Sequence, residues 1–300
     1  MILEMKDTYP VIGLARLCRL LGITRQAYYQ HFWSVSDISV EDQLILGEVT
    51  RIRKVHPVIG GRKLYYLLQP FLLEHQIKIG RDALFDLLSA HKLLVRKRRR
   101  RINTTLSHHW LRKYPNLIKG WHPSKPNQLW VSDITYIPVQ NGFLYLSLLT
   151  DAYSHKIMGY AIADNLEAIS TTNALRMALA NLTEIPTQLI HHSDRGIQYC
   201  CAGYVNLLND HNIRISMSEK GDPLENAVAE RINGILKHEY LIHYPLIDLE
   251  QAKELVADIV DRYNRLRPHE SINLMTPEEG HESHSTINKT WSRKSKSITL

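Results

Sequence analysis

From Leu129 the chain reads Leu-Trp-Val-Ser-Asp-Ile-Thr-Tyr-Ile-Pro-Val and, after Gln140-Asn141-Gly142, Phe-Leu-Tyr-Leu-Ser-Leu-Leu-Thr. Two runs this rich in β-branched, aromatic and aliphatic residues, joined by Asn141-Gly142, predict an antiparallel hairpin with an Asn-Gly turn. A third strand is expected from Lys156 to Ala163. Beyond it the hydrophobic period alternates. A helix is expected from Ala168 to Leu182, a strand from Gln188 to His192, a helix from Ala202 to Asn209 and a short strand from Arg214 to Ser218. Helices near Asn226–Tyr240 and Leu249–Leu266 complete the series. Three antiparallel strands followed by alternating helix and strand predict an α/β fold, a mixed five-stranded sheet flanked by helices.

The residues before this region follow helical grammar. Leu14, Leu17, Cys18 and Leu21 share one helix face, Gly22 breaks it, and Thr24 is the expected N-cap of a second helix from Arg25 to Phe32. Helix, glycine turn, helix, with Arg25, Gln26, Tyr28 and Tyr29 exposed at the second start, is the layout of a DNA-reading helix-turn-helix and also that of an ordinary helical hairpin. Three more helices are expected at Glu41–Lys54, Arg62–Glu74 and Arg81–Leu94, punctuated by Pro57, Gly60, Gly61 and Gly80. They end in six consecutive cations, Arg96, Lys97, Arg98, Arg99, Arg100 and Arg101, which repel one another unless phosphates neutralise them.

Charge divides the chain in the same place. Residues 1–120 hold 21 Lys and Arg against 9 Asp and Glu, a net of +12, and residues 121–300 hold 16 against 21, a net of −5. A basic front joined to an acidic back suggests a polyanion-binding module attached to a different machine, with nucleic acid the leading partner. No window approaches the ~18 uncharged apolar residues of a membrane span. The N-terminal Met-Ile-Leu-Glu-Met-Lys-Asp sets acids where a secretory signal needs apolar residues, so a cytoplasmic protein is expected. Cys18, Cys200 and Cys201 have no metal spacing and read as reduced packing residues.

Three acids stand out by position. Asp133 lies inside the first strand among Trp130, Val131, Ile134 and Tyr136; Asp194 ends the strand Leu189-Ile-His-His-Ser-Asp; Glu230 sits in the helix after Lys220-Gly221-Asp222-Pro223. A carboxylate among apolar strand residues is costly without a cation, and several together repel unless a divalent ion relieves them. Hard oxygen ligands with no Cys or His framework point to Mg²⁺, with Mn²⁺ as a substitute. Two ions ~3.5–4 Å apart can activate a water or a DNA 3′-hydroxyl for in-line phosphoryl transfer. Spacing alone is weak evidence, but acids on a first strand, a later strand end and a helix follow the order of an RNase H-like sheet.

The stretches Trp130-Val-Ser-Asp-Ile-Thr-Tyr-Ile, His192-Ser-Asp-Arg-Gly-Ile-Gln-Tyr and Glu225-Asn-Ala-Val-Ala-Glu-Arg-Ile-Asn-Gly-Ile-Leu-Lys-His-Glu-Tyr closely resemble the integrase core of bacterial insertion-sequence transposases, most of all the second-frame (OrfB) product of the IS-three family. Tyr263-Asn-Arg-Leu-Arg-Pro-His269 and Thr276-Pro-Glu are similar to that family's tail, and His56-Pro-Val-Ile-Gly-Gly-Arg-Lys resembles its N-terminal helix-turn-helix segment. The resemblance implies an RNase H-like fold, two Mg²⁺ ions, a catalytic and metal-binding triad of Asp133, Asp194 and Glu230, and copy-and-paste transposition through a circular DNA intermediate. It also assigns Lys237 to the family's basic position seven residues after the glutamate, nearly two helical turns on and so able to reach DNA phosphate beside the metals. Asn226, one turn before Glu230, shares that face and is expected to orient the carboxylate or the DNA. Ile197 and Leu224-Glu225 depart from the family's usual residues without touching the triad.

The expected organisation is a helix-turn-helix segment at 1–36, a second helical DNA-binding domain at 37–101, a linker at 102–126, the integrase-like catalytic core at 127–282 and a polar tail at 283–300. DNA contacts are expected at Arg25, Gln26, Arg62, Lys63 and the Arg96–Arg101 run as well as at Asn226 and Lys237. Asp151 reads as turn-forming, His191 and His192 as structural or DNA-contacting, and Trp130 as core; Arg262, Arg265, Arg267 and His269 read equally as phosphate contacts or as cations at a helix C-terminus. The expected partners are double-stranded DNA, further copies of the chain in the DNA complex and an upstream-frame (OrfA) protein or fusion, at the bacterial nucleoid. The triad favours an active DNA strand-transfer enzyme over a catalytically silent DNA-binding derivative or repressor, and the basic helical front disfavours a nuclease of RNA–DNA hybrids. No sustained heptad repeat occurs, so weak recognition of element ends by this chain alone is expected.

Overall fold

In a computed structural model, the described residues are 2, 5, 9, 11–29, 40–95, 110–140, 142–182, 186–219, 226–244 and 248–283. The Arg96–Arg101 run therefore lies outside them. Among the described residues no helix is long and apolar enough to cross a membrane.

The N-terminal part is helical: α1 (Leu14–Leu20), α2 (Val40–Val55), α3 (Gly61–Glu74) and α4 (Arg81–Ala90). Residues 25–29 are also helical, and Ala27 N donates to Thr24 Oγ1 at 3.0 Å, the N-cap expected there. Arg25 and Gln26 are exposed, whereas Tyr28 is partly covered. Helices α2–α4 close on a core of their own built from Ile45, Val49, Ile52, Ile59, Leu64, Leu68, Leu84 and Leu88. Helix α4 stops at Ala90, four residues short of the expected Leu94, because His91-Lys92 turns the chain, with Lys92 at a left-handed φ of 56°.

The second half is a five-stranded sheet in the order β3-β2-β1-β4-β5. Strands β1 (Leu129–Val139), β2 (Gly142–Asp151) and β3 (Ile157–Ala163) form an antiparallel meander; β4 (Ile190–Ser193) runs parallel to β1 and β5 (Arg214–Met217) parallel to β4. Val139 pairs with Gly142, so Gly142 belongs to β2 and not to the expected Asn141-Gly142 turn. Gly142 opens β2 instead, at a φ of +127° that a side chain would resist. Helix α5 (Ala168–Ala180) follows β3, α6 (Ile197–Cys200) and α7 (Ala202–Asp210) follow β4, and α8 (Ala227–Ile235), α9 (Leu249–Leu266) and α10 (Pro277–Glu282) follow β5.

Strand alternation sorts the core into two layers. Leu144, Leu146 and Leu148 of β2 face α8 and α9, against Ile232, Leu236, Val256, Ile259 and Tyr263. Leu149 turns to the other face, with Trp130, Leu175, Tyr199, Tyr204 and Leu208 under α5–α7. A mixed sheet in this order with helices on both faces is an RNase H-like fold. The expected single helix from Asn226 to Tyr240 is two pieces: α8 ends at Ile235 and Leu236–Tyr240 is a π turn.

Candidate active site

The sheet register brings the two aspartates together. Leu129, Trp130 and Val131 of β1 pair with Ile190, His191 and His192 of β4, an offset of 61 residues (190 − 129). The same offset separates Asp133 from Asp194 (194 − 133). Two residues beyond the last pair of that ladder, Asp133 and Asp194 lie near enough for the charge of Asp194 to raise the Asp133 carboxyl. Their surroundings hold them differently. Asp194 turns back on its own chain, its Oδ1 accepting from Gly196 N at 2.9 Å. Asp133 is partly buried and its Oδ2 accepts from Asn233 Nδ2 at 2.8 Å.

Helix α8 crosses this corner. Asn226, its N-cap residue, is 8 % exposed and donates Nδ2 to Ser132 O at 3.2 Å, while Asn233, two turns on, reaches Asp133. Glu230 lies between them in the first turn, at i+4 from one and i−3 from the other, and is exposed. Burial pushes the Asp133 carboxyl up to about 7; the charge of Asp194 and then that of Glu230 add to it, and the hydrogen bonds from Asn233 and the Ile134 backbone pull the other way. The charge of Asp194 acts on Asp133 more strongly than that of Glu230. Among the described residues no three His, Cys, Asp or Glu side chains converge closely enough to hold an ion as they stand.

The chain matches the Integrase core domain family over residues 123–223 and a second Integrase core domain family over residues 211–277. An insertion element IS600 31 kDa protein from Shigella sonnei is 36% identical over 266 residues, covering 87% of this chain and 96% of its own length. The transposase for insertion sequence element IS629, from the same organism, is 27% identical with 94% of each chain covered. The transposase InsF for insertion sequence IS3A of Escherichia coli K12 is 29% identical over 89% of this chain and 93% of its own. The chain belongs to the IS3 family of transposases.

In this transposase two buried histidines precede Asp194 on β4. His191, 1 % exposed, has Nε2 within 2.8 Å of both Ser132 Oγ and Tyr204 OH, and burial lowers it to about 3. His192 shares a 2.8 Å bond between Nδ1 and Ser216 Oγ and falls to about 4 for the same reason. Both are packing groups, as expected, and their burial removes the DNA-contacting alternative. Asp151 is wholly buried and accepts from the backbone of Asn127, Tyr153 and Ser154, the turn-forming role expected of it. Trp130 is fully buried.

Several expected DNA contacts stand elsewhere. Lys63 is only 9 % exposed, and burial lowers its amine to about 8. An amine removed from water cannot reach a phosphate, which corrects that expectation; the basic motif was read without knowing which of its cations packs inward. Asn226 is likewise committed to β1, so it orients the strand of Asp133 rather than DNA. Arg62 keeps 69 % of its side chain exposed, 3.4 Å from Glu270. Arg267, the C-cap of α9, is 1 % exposed in an ion pair with Glu239, which leaves it no reach to a phosphate, while Arg262 and Arg265 pair with Asp258 and Asp261 on their own helix. Lys237, in the π turn, is partly buried, which lowers its ammonium pKa.

Three residues of the site escaped the sequence reading. Asn233 was recoverable, since it stands three residues after Glu230 on the same helical face. Tyr199 was not: it is fully enclosed, and burial together with the charges of Asp194 and Asp133 raises its hydroxyl. Gly196 is read only from structure, because a Cβ there would meet Asp194 Oδ1 at 2.9 Å.

Proposed function

We propose that Asp133, Asp194 and Glu230 are the catalytic triad of this transposase and hold a pair of Mg²⁺ ions, with Mn²⁺ able to replace them. The observation that carries the reading is the shared 61-residue offset, which lays one aspartate beside the other under the helix of Glu230. The donor set fits a hard divalent cation: oxygen ligands only, and a carboxyl on Asp133 driven up to about 7 by burial and by like charge that a cation would relieve. The amide oxygens of Asn226 and Asn233 are buried without a hydrogen-bond partner, and waters carried by such an ion offer them protons. When bound, the ions supply Lewis-acid stabilisation and a deprotonated oxygen nucleophile for phosphodiester chemistry.

The chain's own residues set the stage for that chemistry. Asn233 fixes the rotamer of Asp133 and Asn226 fixes the strand carrying it. Gly196 fixes Asp194. Hydrolysis at an element end frees a 3′-hydroxyl, and attack of that hydroxyl on a second DNA phosphate joins the strands. Lys237, in the π turn, neutralises a DNA phosphate near the reacting one. Arg25, Gln26 and the Arg96–Arg101 run, in the 1–36 and 37–101 regions, supply further DNA contacts. Copies of the chain assemble on paired element ends at the nucleoid, with the OrfA partner adding end recognition.

Labelled element-end duplex incubated with Mg²⁺ tests this. The wild-type chain nicks and joins it, while Asp194→Asn binds it and does neither. Nicking by Asp194→Asn at the wild-type rate would remove Asp194 from the triad.

A further inference from the structure

A second polar cluster lies away from the carboxylates, where α2 and α3 meet the catalytic half. His56, one residue past α2, is 4 % exposed, and its Nδ1 lies 2.7 Å from the hydroxyl of Tyr240, the last residue of the π turn. The ring also bonds the backbone of Leu266 at the end of α9, and burial with the nearby Arg267 charge lowers it to about 4. A neutral imidazole that donates to Leu266 leaves Nδ1 to accept from Tyr240. Beside it, Arg267 donates Nε and Nη2 to the two oxygens of Glu239, each at 3.0 Å, and Nη1 to His269 Nε2 at 2.8 Å. Arg267 is 1 % exposed, and an ion pair this deep is costly to break from either side. Lys63, buried at the start of α3, faces Glu239 and Glu270, and Arg62 approaches Glu270 from outside.

Both anchors sit on one short stretch. A π turn carries an extra residue relative to an α turn and swings the chain beyond it. Here it directs Glu239 to Arg267 and Tyr240 to His56. That stretch continues α8, which bears Glu230. Ten residues from Glu230 to Tyr240 span ~15 Å, so a tilt of about 5° at the anchored end shifts Glu230 by roughly 1 Å. A displacement of about that size costs up to ~100-fold in rate.

We propose that His56–Lys63 is an intramolecular strut, in which His56 through Tyr240, and Arg267 through Glu239, are positioning residues that set where α8 presents Glu230. This rests on the reading of Glu230 as catalytic. The segment that resembles a DNA-reading motif thus faces inward, and the helical half of the chain is required for the active geometry as well as for DNA.

The test uses the full chain, labelled element-end duplex and Mg²⁺, measuring DNA affinity and the single-turnover nicking rate of bound DNA separately. Tyr240→Phe removes one hydroxyl and keeps the ring. His56→Asn keeps an acceptor near Nδ1, and His56→Ala removes it. Tyr240→Phe and His56→Ala are each expected to slow nicking about tenfold or more, as loss of a buried hydrogen bond allows, with affinity within about twofold. Their combination should be no slower than the worse single variant, and His56→Asn should recover most of the rate. Thermal shift should show a Mg²⁺ midpoint raised about tenfold in Tyr240→Phe, consistent with the same loss. Should His56→Ala fail to fold, Tyr240→Phe and His56→Asn decide the matter alone. Weakened DNA binding with an unchanged rate of bound DNA, additive losses in the double variant, or an unchanged rate and Mg²⁺ midpoint in Tyr240→Phe overturn the strut. Glu230→Gln separates the two ideas: if it nicks normally the triad reading fails, whereas if it is dead and Tyr240→Phe is normal only the strut fails.

Discussion

Replacing Asp133 by Asn isolates the electrostatic cost of the proposed metal site. The Asp133 carboxyl is raised to about 7 by burial, Asp194 and Glu230. An ordinary Asp titrates near 3.9, so the folded chain holds this proton about three units more tightly, worth ~4 kcal/mol. The sign is set by the raised value. Below pH ~4 the group is protonated in both states and costs nothing. As pH climbs from ~4 to ~7 only the unfolded state ionises readily, and stability is lost, roughly a third of it by pH 5. Because the side chain is partly exposed, screening reduces the full loss to about 2–4 kcal/mol at pH 8. Asn is nearly isosteric and keeps an oxygen for the Asn233 bond. In EDTA, Asp133→Asn should therefore be more stable than wild type by about 2–4 kcal/mol at pH 8, with the gap closing by more than half at pH 5. Mg²⁺ at 100 times its dissociation constant should then stabilise wild type by ~2.7 kcal/mol and the variant far less, while the variant loses nicking altogether. Urea unfolding at pH 5, 7 and 8, with and without Mg²⁺, reads all of this. A variant less stable than wild type at pH 8 in EDTA, or an equal Mg²⁺ response in both proteins, would refute the reasoning.

Gly196→Ala forces a Cβ to within 2.9 Å of Asp194 Oδ1 and should slow nicking while leaving the urea midpoint within about 1 kcal/mol of wild type, measured side by side. Gly159→Ala, by contrast, would drive a Cβ to 2.1 Å from Ala174 O where β3 meets α5, and should cost about 3 kcal/mol or more in urea unfolding. Lys237→Ala should weaken binding of all DNA sequences alike and lower the salt slope of binding by about one, as fluorescence anisotropy across salt concentrations would show. The isolated chain should bind its own element ends only a little better than unrelated duplex, and tight sequence-specific binding in the same assay would contradict this.

Much of the catalytic half was legible because its signals are local. Leu249–Leu266 came out at both ends because Asp248 caps it, accepting from Gln251 N, and buried residues recur at Ala252, Val256, Ile259, Val260 and Tyr263. The mixed sheet followed from runs of apolar residues and the helices between them, whereas its lateral order, with β4 beside β1, came only from the structure. The break at Leu236 was hidden, because a π turn keeps the composition of a helix and differs only in which carbonyl each N–H finds. The hairpin missed by one residue for a similar reason: Gly142 marks a left-handed φ in the hairpin, but pairing decides on which side of the turn it falls.

The cations show where pattern reading reaches its limit. Sequence reports charge but not depth, and a lysine or arginine carries the same letter whether it meets phosphate or a buried carboxylate. Arg25 and Arg62 are exposed, whereas Lys63 and Arg267 are enclosed at a seam between two parts of the chain more than 170 residues apart (239 − 63 = 176 at its narrowest). Enclosing a guanidinium is worthwhile only with a partner of fixed geometry, and Glu239 provides one through two hydrogen bonds. That partner sits four residues beyond the end of α8, so the charge that looked like part of a DNA-binding surface is spent inside the protein on the helix of Glu230. Within the first 120 residues Lys63 is enclosed in the same way, so their net +12 overstates the positive charge that part of the chain keeps at its surface.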